Sequence, residues 1–318
     1  MPARFQNQHP HDSHHVGHIL QWKLGLRREG SPEVAEQWIR ADDLQAIAVN
    51  STQIEAPDQR CVQVTWIGHA SFLVQVAGRN FLFDPVFDSY CSPLPLPGLK
   101  RLHPPALTLS DLPKLDGVFV SHNHYDHLEK RTIRALGATV SCHAPVGLSN
   151  WLGRLGVRDC SEYAWWDAVP IDDELTVHCV PAQHFSSRGL HDRNQTLWCG
   201  WVLEMAGFKI YFVGDTGYAP LFREIRQRIG AMDVSIIPIG AYRPRSVMQP
   251  VHVDPCEAVA IHLDVESRHS IASHWGTFRL TDEPLWEPPA LLRQACNVHE
   301  VSADEFRILR IGETCQFS

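Results

Sequence analysis

An apolar run that breaks off into metal-ligand side chains dominates this sequence: residues 117–127 read Gly-Val-Phe-Val-Ser-His-Asn-His-Tyr-Asp-His, placing His122, His124, Asp126 and His127 together. The apolar part reads as a buried strand. Side chains of extended backbone repeat every second residue, so His122 and His124 project to one side. Asp126 and His127 fall where the chain turns toward a helical stretch at 128–136, and so they face a second ion beside the first. Among 19 histidines an H-x-H pair arises readily by chance. An added D-H at this offset behind a strand does not, and the spacing suits two metals rather than one.

Further ligands must come from elsewhere, and three residues sit in similar settings. His184 follows the apolar stretch 175–181, Asp215 ends the strand-like run 208–213, and His274 closes Ser270–Ser273. Gly214 and Gly217 flank Asp215 and permit a tight turn there. Each residue stands at a strand end, where α/β sheets gather functional groups, although each taken alone also reads as an ordinary polar residue.

The order H-x-H-x-D-H, then His, then Gly-Asp-Thr-Gly, then His resembles the metallo-β-lactamase superfamily over roughly residues 60–311. The segments SHNHYDHL, PAQHF, LWCGW, FVGDTGYAP, IPIGAYRPR, HVDPCEAVAIHLDV and SHWGTF are closer still to its branch of N-acylphosphatidylethanolamine-hydrolysing phospholipases D. This resemblance implies an α/β fold, an αββα four-layer sandwich, with a dinuclear site along one edge. It implies one zinc on His122, His124 and His184, another on Asp126, His127 and His274, and Asp215 bridging them, with iron or manganese as alternatives to zinc. Residues 1–59 are then an N-terminal extension, partly mobile, and 60–318 a hydrolase domain. The same comparison makes Asp84, in NFLFDPVF, an acceptor that supports the ligands from behind, though a turn residue before Pro85 reads equally well. His252 precedes a strong helix start with Asp254 as N-cap, Pro255 at the first position and Glu257 three residues on, so it is either a group that meets an anion at the helix mouth or a plain polar residue. Arg243 and Arg245 either pair with phosphate oxygens or lie in solvent.

The chemistry expected of such a site is hydrolysis by a hydroxide shared between two ions. The catalytic residues are then Asp126, Asp215 and His252. Three readings compete. The first is a zinc phosphodiesterase resembling the phospholipase D branch, acting on a small-molecule or lipid phosphodiester; the second is a lactonase or amidase using the same ions. The third, a metal-binding scaffold without turnover, is disfavoured by the complete ligand set.

Composition bears on partners. A formal net charge of −8, with no Lys/Arg run, argues against nucleic acid. Nine cysteines, an odd number without a C-x-x-C pair, suit reduced thiols and a cytoplasmic protein. The N-terminus lacks a signal-peptide pattern, and no window approaches a membrane span. Peripheral membrane contact stays open, and the family resemblance leaves room for a homodimer. Residues 1–18 are polar and histidine-rich and read as mobile. At 18–29, Ile19, Leu20, Trp22, Leu24 and Leu26 beside Lys23, Arg27 and Arg28 either pack on the body or seat at a lipid surface. The proline-rich stretch 90–109 is a connecting loop or a pocket wall, with Leu94, Leu96 and Leu99 as lining and Lys100 and Arg101 as rim.

Along the rest of the chain, strands at 62–66, 71–77 and 80–85 read as a meander. Helices are expected near 146–155, 220–229, 255–265 and 285–296, and 305–312 reads as the last strand.

Overall fold

Strand-forming residues with period-two alternation build two sheets, each with a distinct destination for its two faces. A computed structural model describes residues 4–11, 17, 21, 22, 24–26, 29–137, 139–189 and 191–318. The first sheet holds β1 (Val62–Gly68), β2 (Ser71–Val76), β3 (Arg79–Phe83), β4 (Gly117–Phe119), β5 (Cys142–Pro145), β6 (Cys160–Tyr163) and β14 (Thr314–Phe317), in the order β14-β1-β2-β3-β4-β5-β6. The second holds β7 (Ala168–Pro170), β8 (Leu175–Val180), β9 (Gly200–Met205), β10 (Phe208–Phe212), β11 (Val234–Pro238), β12 (His269–Ser273) and β13 (Phe306–Arg307), in the order β13-β12-β11-β10-β9-β8-β7.

The alternation decides the layers. On β1 to β4, Val64, Trp66, Phe72, Val74, Phe81, Phe83 and Phe119 turn inward to one core with the second sheet. Leu73, Leu82, Val118 and Val120 turn outward to meet Leu128, Ile133, Leu148 and Leu152 under the first helical layer. Rings close the space between the sheets: Phe83 stacks on Phe212 at 4.9 Å and Phe119 meets Trp201 at 5.4 Å. On the far side of the second sheet lie α4 (Leu221–Ile229), α6 (Pro255–Asp264) and α7 (Glu287–Val298); α1 (Ser51–Glu55), α2 (Lys130–Leu136) and α3 (Ser149–Gly153) belong to the first side, and α5 (Arg245–Met248) is a single turn in the β11–α6 connection. The architecture is the expected αββα sandwich.

Several sequence expectations shift in detail. The meander forms as read, with Val64 opposite Val74 and Val74 opposite Phe81. The helix expected near 146–155 is only α3, because Gly147 has φ 101° and Gly156 φ 98° at its two ends. Of the expected last strand only Phe306–Arg307 pairs in the second sheet. The chain then crosses to the first sheet and ends as β14, antiparallel to β1. Gly312 makes that crossing at φ 93°, where a Cβ would lie 2.1 Å from Ile47 O.

The N-terminal region is tied to the body at several places. Gln63 Nε2 donates to Gln53 O and Gln75 Nε2 to Ile54 O, both at 2.9 Å, which fastens α1 across β1 and β2. Trp22 Nε1 donates to Asp282 Oδ2 at 2.8 Å, while Leu24 and Leu26 are 65% and 73% exposed. Of this segment Trp22 packs on the body, as the first of the two expectations has it; Ile19, Leu20, Lys23, Arg27 and Arg28 lie outside the described residues. In the 90–109 stretch Leu94 and Leu96 are exposed, Leu99 packs by Val86, Cys91 and Phe278, and Arg101 is buried with Nη1 donating to Val86 O.

Candidate metal centre

β1, β3 and β4 run in one direction in the first sheet, and β8, β10 and β12 in one direction in the second. The residues that leave their carboxyl ends meet at one edge of the sandwich. They are His69 after β1, Asp84 after β3, His122 to His127 after β4, His184 after β8, Asp215 after β10 and His274 after β12. Gly214, at φ 68°, turns Asp215 inward; a Cβ there would meet Cys199 O at 2.9 Å. His69, Asp84 and His274 themselves hold positive φ of 55°, 37° and 61°.

One carboxylate sets two of the imidazoles. Asp84, fully buried, accepts from Ser121 N–H at 2.7 Å, from Ser121 Oγ at 2.5 Å and from His127 Nδ1 at 2.6 Å. Because the Ser121 hydroxyl proton goes to Asp84, its oxygen accepts from His122 Nδ1 at 2.9 Å. His122 is thereby left with a bare Nε2 facing inward. His127 turns its Nε2 the same way, where burial is outweighed by the carboxylates of Asp215, Asp126 and Asp84, which hold the imidazole well above its ordinary value. His184 is set the same way, since Nδ1 donates to Val251 O at 2.9 Å.

The inward atoms form two groups that share one oxygen. His122 Nε2 and His184 Nε2 lie 2.9 and 3.3 Å from His124 Nδ1. Two of these three nitrogens carry lone pairs, so one proton cannot satisfy the set, whereas a cation between them can. In the second group Asp126 Oδ2 lies 3.5 Å from His127 Nε2, 3.3 Å from His274 Nε2 and 2.9 Å from His69 Nε2. Asp215 Oδ2 is 3.2 Å from both His127 Nε2 and His274 Nε2, and 3.9 and 3.7 Å from His122 and His184 Nε2. The ligand atoms of each quartet, His122–His124–His184–Asp215 and His69–Asp126–His127–His274, lie within 4.8 Å of one another.

Electrostatics point the same way. Buried His127 Nε2, Asp215 Oδ1 and both His274 ring nitrogens make no hydrogen bond. Burial is the largest single influence on each charged group here. At Asp126 and Asp215 it is outweighed by the imidazoles, chiefly His127, and both carboxyls are held well below their usual range. At His274 burial is outweighed by the carboxylates of Asp215 and Asp126, which raise it to about 9. The carboxylates thus draw positive charge into a sealed space, as a divalent-cation site requires. The donor set, imidazole and carboxylate only, suits zinc, iron or manganese.

The seven residues named as ligands from the sequence are all brought together, and Asp84 lies behind them. His69 was missed. Lying between β1 and β2, it is 1% exposed and bonded to Asp126; its signal is the one shared by His122, His184 and His274, a histidine at the end of an apolar strand.

His252 also reaches the edge, with Nδ1 at 3.9 Å from Asp215 Oδ2 and its ring 5.1 Å from that of His184. The α6 N-terminus beside it is closed by its own capping box, Asp254 Oδ1 accepting from Glu257 N–H at 2.9 Å and Glu257 Oε2 from Asp254 N–H at 3.1 Å. That box takes up the Glu257 N–H of the first turn. Arg243 and Arg245 require a correction. Arg243, 6% exposed, donates to Glu287 Oε1 at 2.5 Å and Gly30 O at 2.6 Å; Arg245 donates to Glu257 Oε2 at 2.7 Å and His252 O at 2.9 Å. Both guanidinium groups are committed to internal acceptors.

The groups open into a cavity of about 260 Å³ lined by Trp22, Phe185, Val247, Met248, Val251 and Leu280 together with His124, Asp126, Asp215 and His252. Among the described residues no lysine or arginine lines it, and no helix is long and apolar enough to cross a membrane. A sheet sandwich with two such His/Asp quartets at one edge defines a metallo-hydrolase.

Comparison with known proteins agrees. Residues 79–275 match the family described as Beta-lactamase superfamily domain. The chain is 37% identical over 268 residues to N-acyl-phosphatidylethanolamine-hydrolyzing phospholipase D 1 of Caenorhabditis elegans, covering 80% of this chain and 75% of that one. A UPF0173 metal-dependent hydrolase of Caldivirga maquilingensis is 29% identical over 216 residues, covering 67% and 82%. Among solved structures, an isothiocyanate hydrolase from Delia radicum gut bacteria superposes with a TM-score of 0.66 at 22% identity, covering 80% of this chain and 99% of that one. The chain belongs to the beta-lactamase superfamily and is a metal-dependent hydrolase of the metallo-β-lactamase fold.

Proposed function

We propose that this hydrolase holds two zinc ions and cleaves a phosphodiester carrying an apolar group. His122, His124 and His184 hold one ion, Asp126, His127 and His274 the other, and Asp215 both. The observation that carries this is Asp215 Oδ2 standing between the two quartets on the floor of an apolar cavity. The name of the Caenorhabditis elegans relative supports a lipid phosphodiester as the substrate class. Bound ions supply Lewis acidity and make water ionisable near neutral pH. Phe185, Met248, Val251 and Leu280 exclude bulk water from the reacting group and seat its apolar part.

His252 moves the proton. Its buried Nδ1 makes no hydrogen bond and stands 3.9 Å from Asp215 Oδ2 in the lining of the cavity. It takes the proton lost by the attacking water and passes it to the departing alkoxide. A second reading, attack at the carbon of a lactone or amide, is favoured by the lack of a lysine or arginine among the described residues that line the cavity.

Purified protein is expected to contain close to two divalent ions per chain, chiefly zinc, by elemental analysis; no bound metal, with none regained on reconstitution, removes the proposal. The substrate is tested with zinc-loaded enzyme on a panel of alkyl diesters, aryl diesters and lactones. Lactone opening without diester cleavage selects the second reading. His252→Ala should keep its metal and lose about 10²–10⁴-fold in alkyl diester turnover, with a much smaller loss on an activated aryl diester whose leaving group needs no proton. Equal losses on both would reduce His252 to a binding group, and no loss to a bystander.

A further inference from the structure

Residues 5–9, at the chain's beginning, lie along the loop that carries His184. Phe5 N–H donates to Asn194 O at 2.9 Å and Asn194 Nδ2 returns a bond to Phe5 O at 3.2 Å. Asn194 N–H donates onward to Ser186 O at 2.8 Å. Farther along, Trp166 Nε1 donates to Gln8 Oε1 and Gln183 Nε2 to His9 O, each at 3.3 Å, and His9 Nε2 lies 3.0 Å from Glu224 Oε1. The arm expected to be mobile is, at these residues, bonded into the body.

Asn7 stands at the centre of this arm. Its Nδ2 donates to His184 O at 2.9 Å, and its Oδ1 accepts from His184 N–H at 3.2 Å and from Trp198 Nε1 at 3.0 Å. One amide side chain thus grips both polar groups of a single residue's backbone, and Trp198, 1% exposed, holds that amide in place while also donating to Ala182 O. With Nδ1 fixed on Val251 O, His184 is held on both faces of its backbone and at the far side of its ring. Its Nε2 has one direction left, toward His124 and Asp215.

We infer that Asn7 is a positioning residue for the His184 imidazole: the N-terminal arm presets one ligand of the metal centre before any ion arrives. The β8–β9 loop is also held at Gln183 by Thr216 and Gly217 and at Ser187 and Arg188 by Asn123, Tyr125 and Leu128, but the backbone groups of His184 itself bond to Asn7, and a ligand that must be ordered on binding weakens the site. Other contacts of the arm, such as Gln8 with Trp166, hold the arm without touching His184 and serve as a control for loosening alone.

The inference rests on reading His184 as a metal ligand, and the experiment separates the two. Zinc is titrated into full-length wild type, Asn7→Ala and Gln8→Ala against a competing chelator, with thermal melting of each. Asn7→Ala should weaken one of two zinc equivalents by about 10- to 100-fold and leave the other at wild-type affinity, while Gln8→Ala keeps both. Two wild-type affinities in Asn7→Ala, or equal weakening of both, overturns the inference. If wild type takes up no zinc, the ligand reading falls, and amide hydrogen exchange over 181–188 decides on the clamp. Faster exchange in Asn7→Ala than in Gln8→Ala supports it, and equal rates overturn it.

Discussion

Asp215→Ala should reduce hydrolysis by at least about 10³-fold and weaken both ion sites, since one oxygen serves both quartets. Its Oδ2 lies 3.2 Å from His127 and His274 and under 4 Å from His122 and His184. Removing it opens each group at once: His122, His124 and His184 lose their shared carboxylate, and His127 and His274 are left with Asp126 alone. Asp84→Ala provides the contrast. That carboxylate touches Ser121 and His127 from behind the site, so its loss should leave the ions largely in place and lower activity by roughly 10- to 100-fold. Elemental analysis of both variants beside their rates is the measurement, and equal metal loss in the two would show that the inner and outer carboxylates have been exchanged.

The second large effect is on stability. Arg243→Ala should cost about 3–5 kcal/mol, because Glu287, 0% exposed, would keep its carboxylate buried with the Tyr242 hydroxyl, 2.6 Å away, as its remaining hydrogen-bond donor. The Arg243 bond to Gly30 O, which fastens the N-terminal region to the β11–α6 loop, would go with it. The denaturant midpoint should fall accordingly while KM for any diester turned over stays unchanged. An unchanged midpoint with a raised KM would return Arg243 to the phosphate-binding role that its sequence context suggests.

Those two arginines show where the sequence stops being legible. Residue type and strand-end position marked His122, His124, Asp126, His127, His184, Asp215 and His274 as candidates, because each lies at or just past the end of an apolar run, and the family resemblance joined them into one ligand set. A guanidinium in the Gly-Ala-Tyr-Arg-Pro-Arg segment carries no such directional mark; its partner, Glu287, sits on a helix 44 residues away in sequence. The layered fold was readable for the same reason as the ligands, since Val64, Phe72, Phe83 and Leu73, Leu82, Val118 declare two faces of one sheet. β14 was not, as the pairing of Val64 with Cys315 is set by contact across the whole chain. Asn7 belongs with these: nothing local distinguishes it from the other polar residues of a histidine-rich N-terminus.

His69, Asp84 and His274 share the left-handed backbone noted above. For residues other than glycine this costs on the order of 1–3 kcal/mol each. Selection for stability alone would favour glycine or asparagine at all three, so the edge of the sandwich is kept uncomfortable by the chemistry it carries. Unfolding relieves that discomfort, and any ion that binds only the folded chain opposes it, by about 2.7 kcal/mol at a hundredfold excess over its dissociation constant. Durability and metal supply are therefore linked in this protein: a chain starved of metal is also the chain more readily lost to proteolysis.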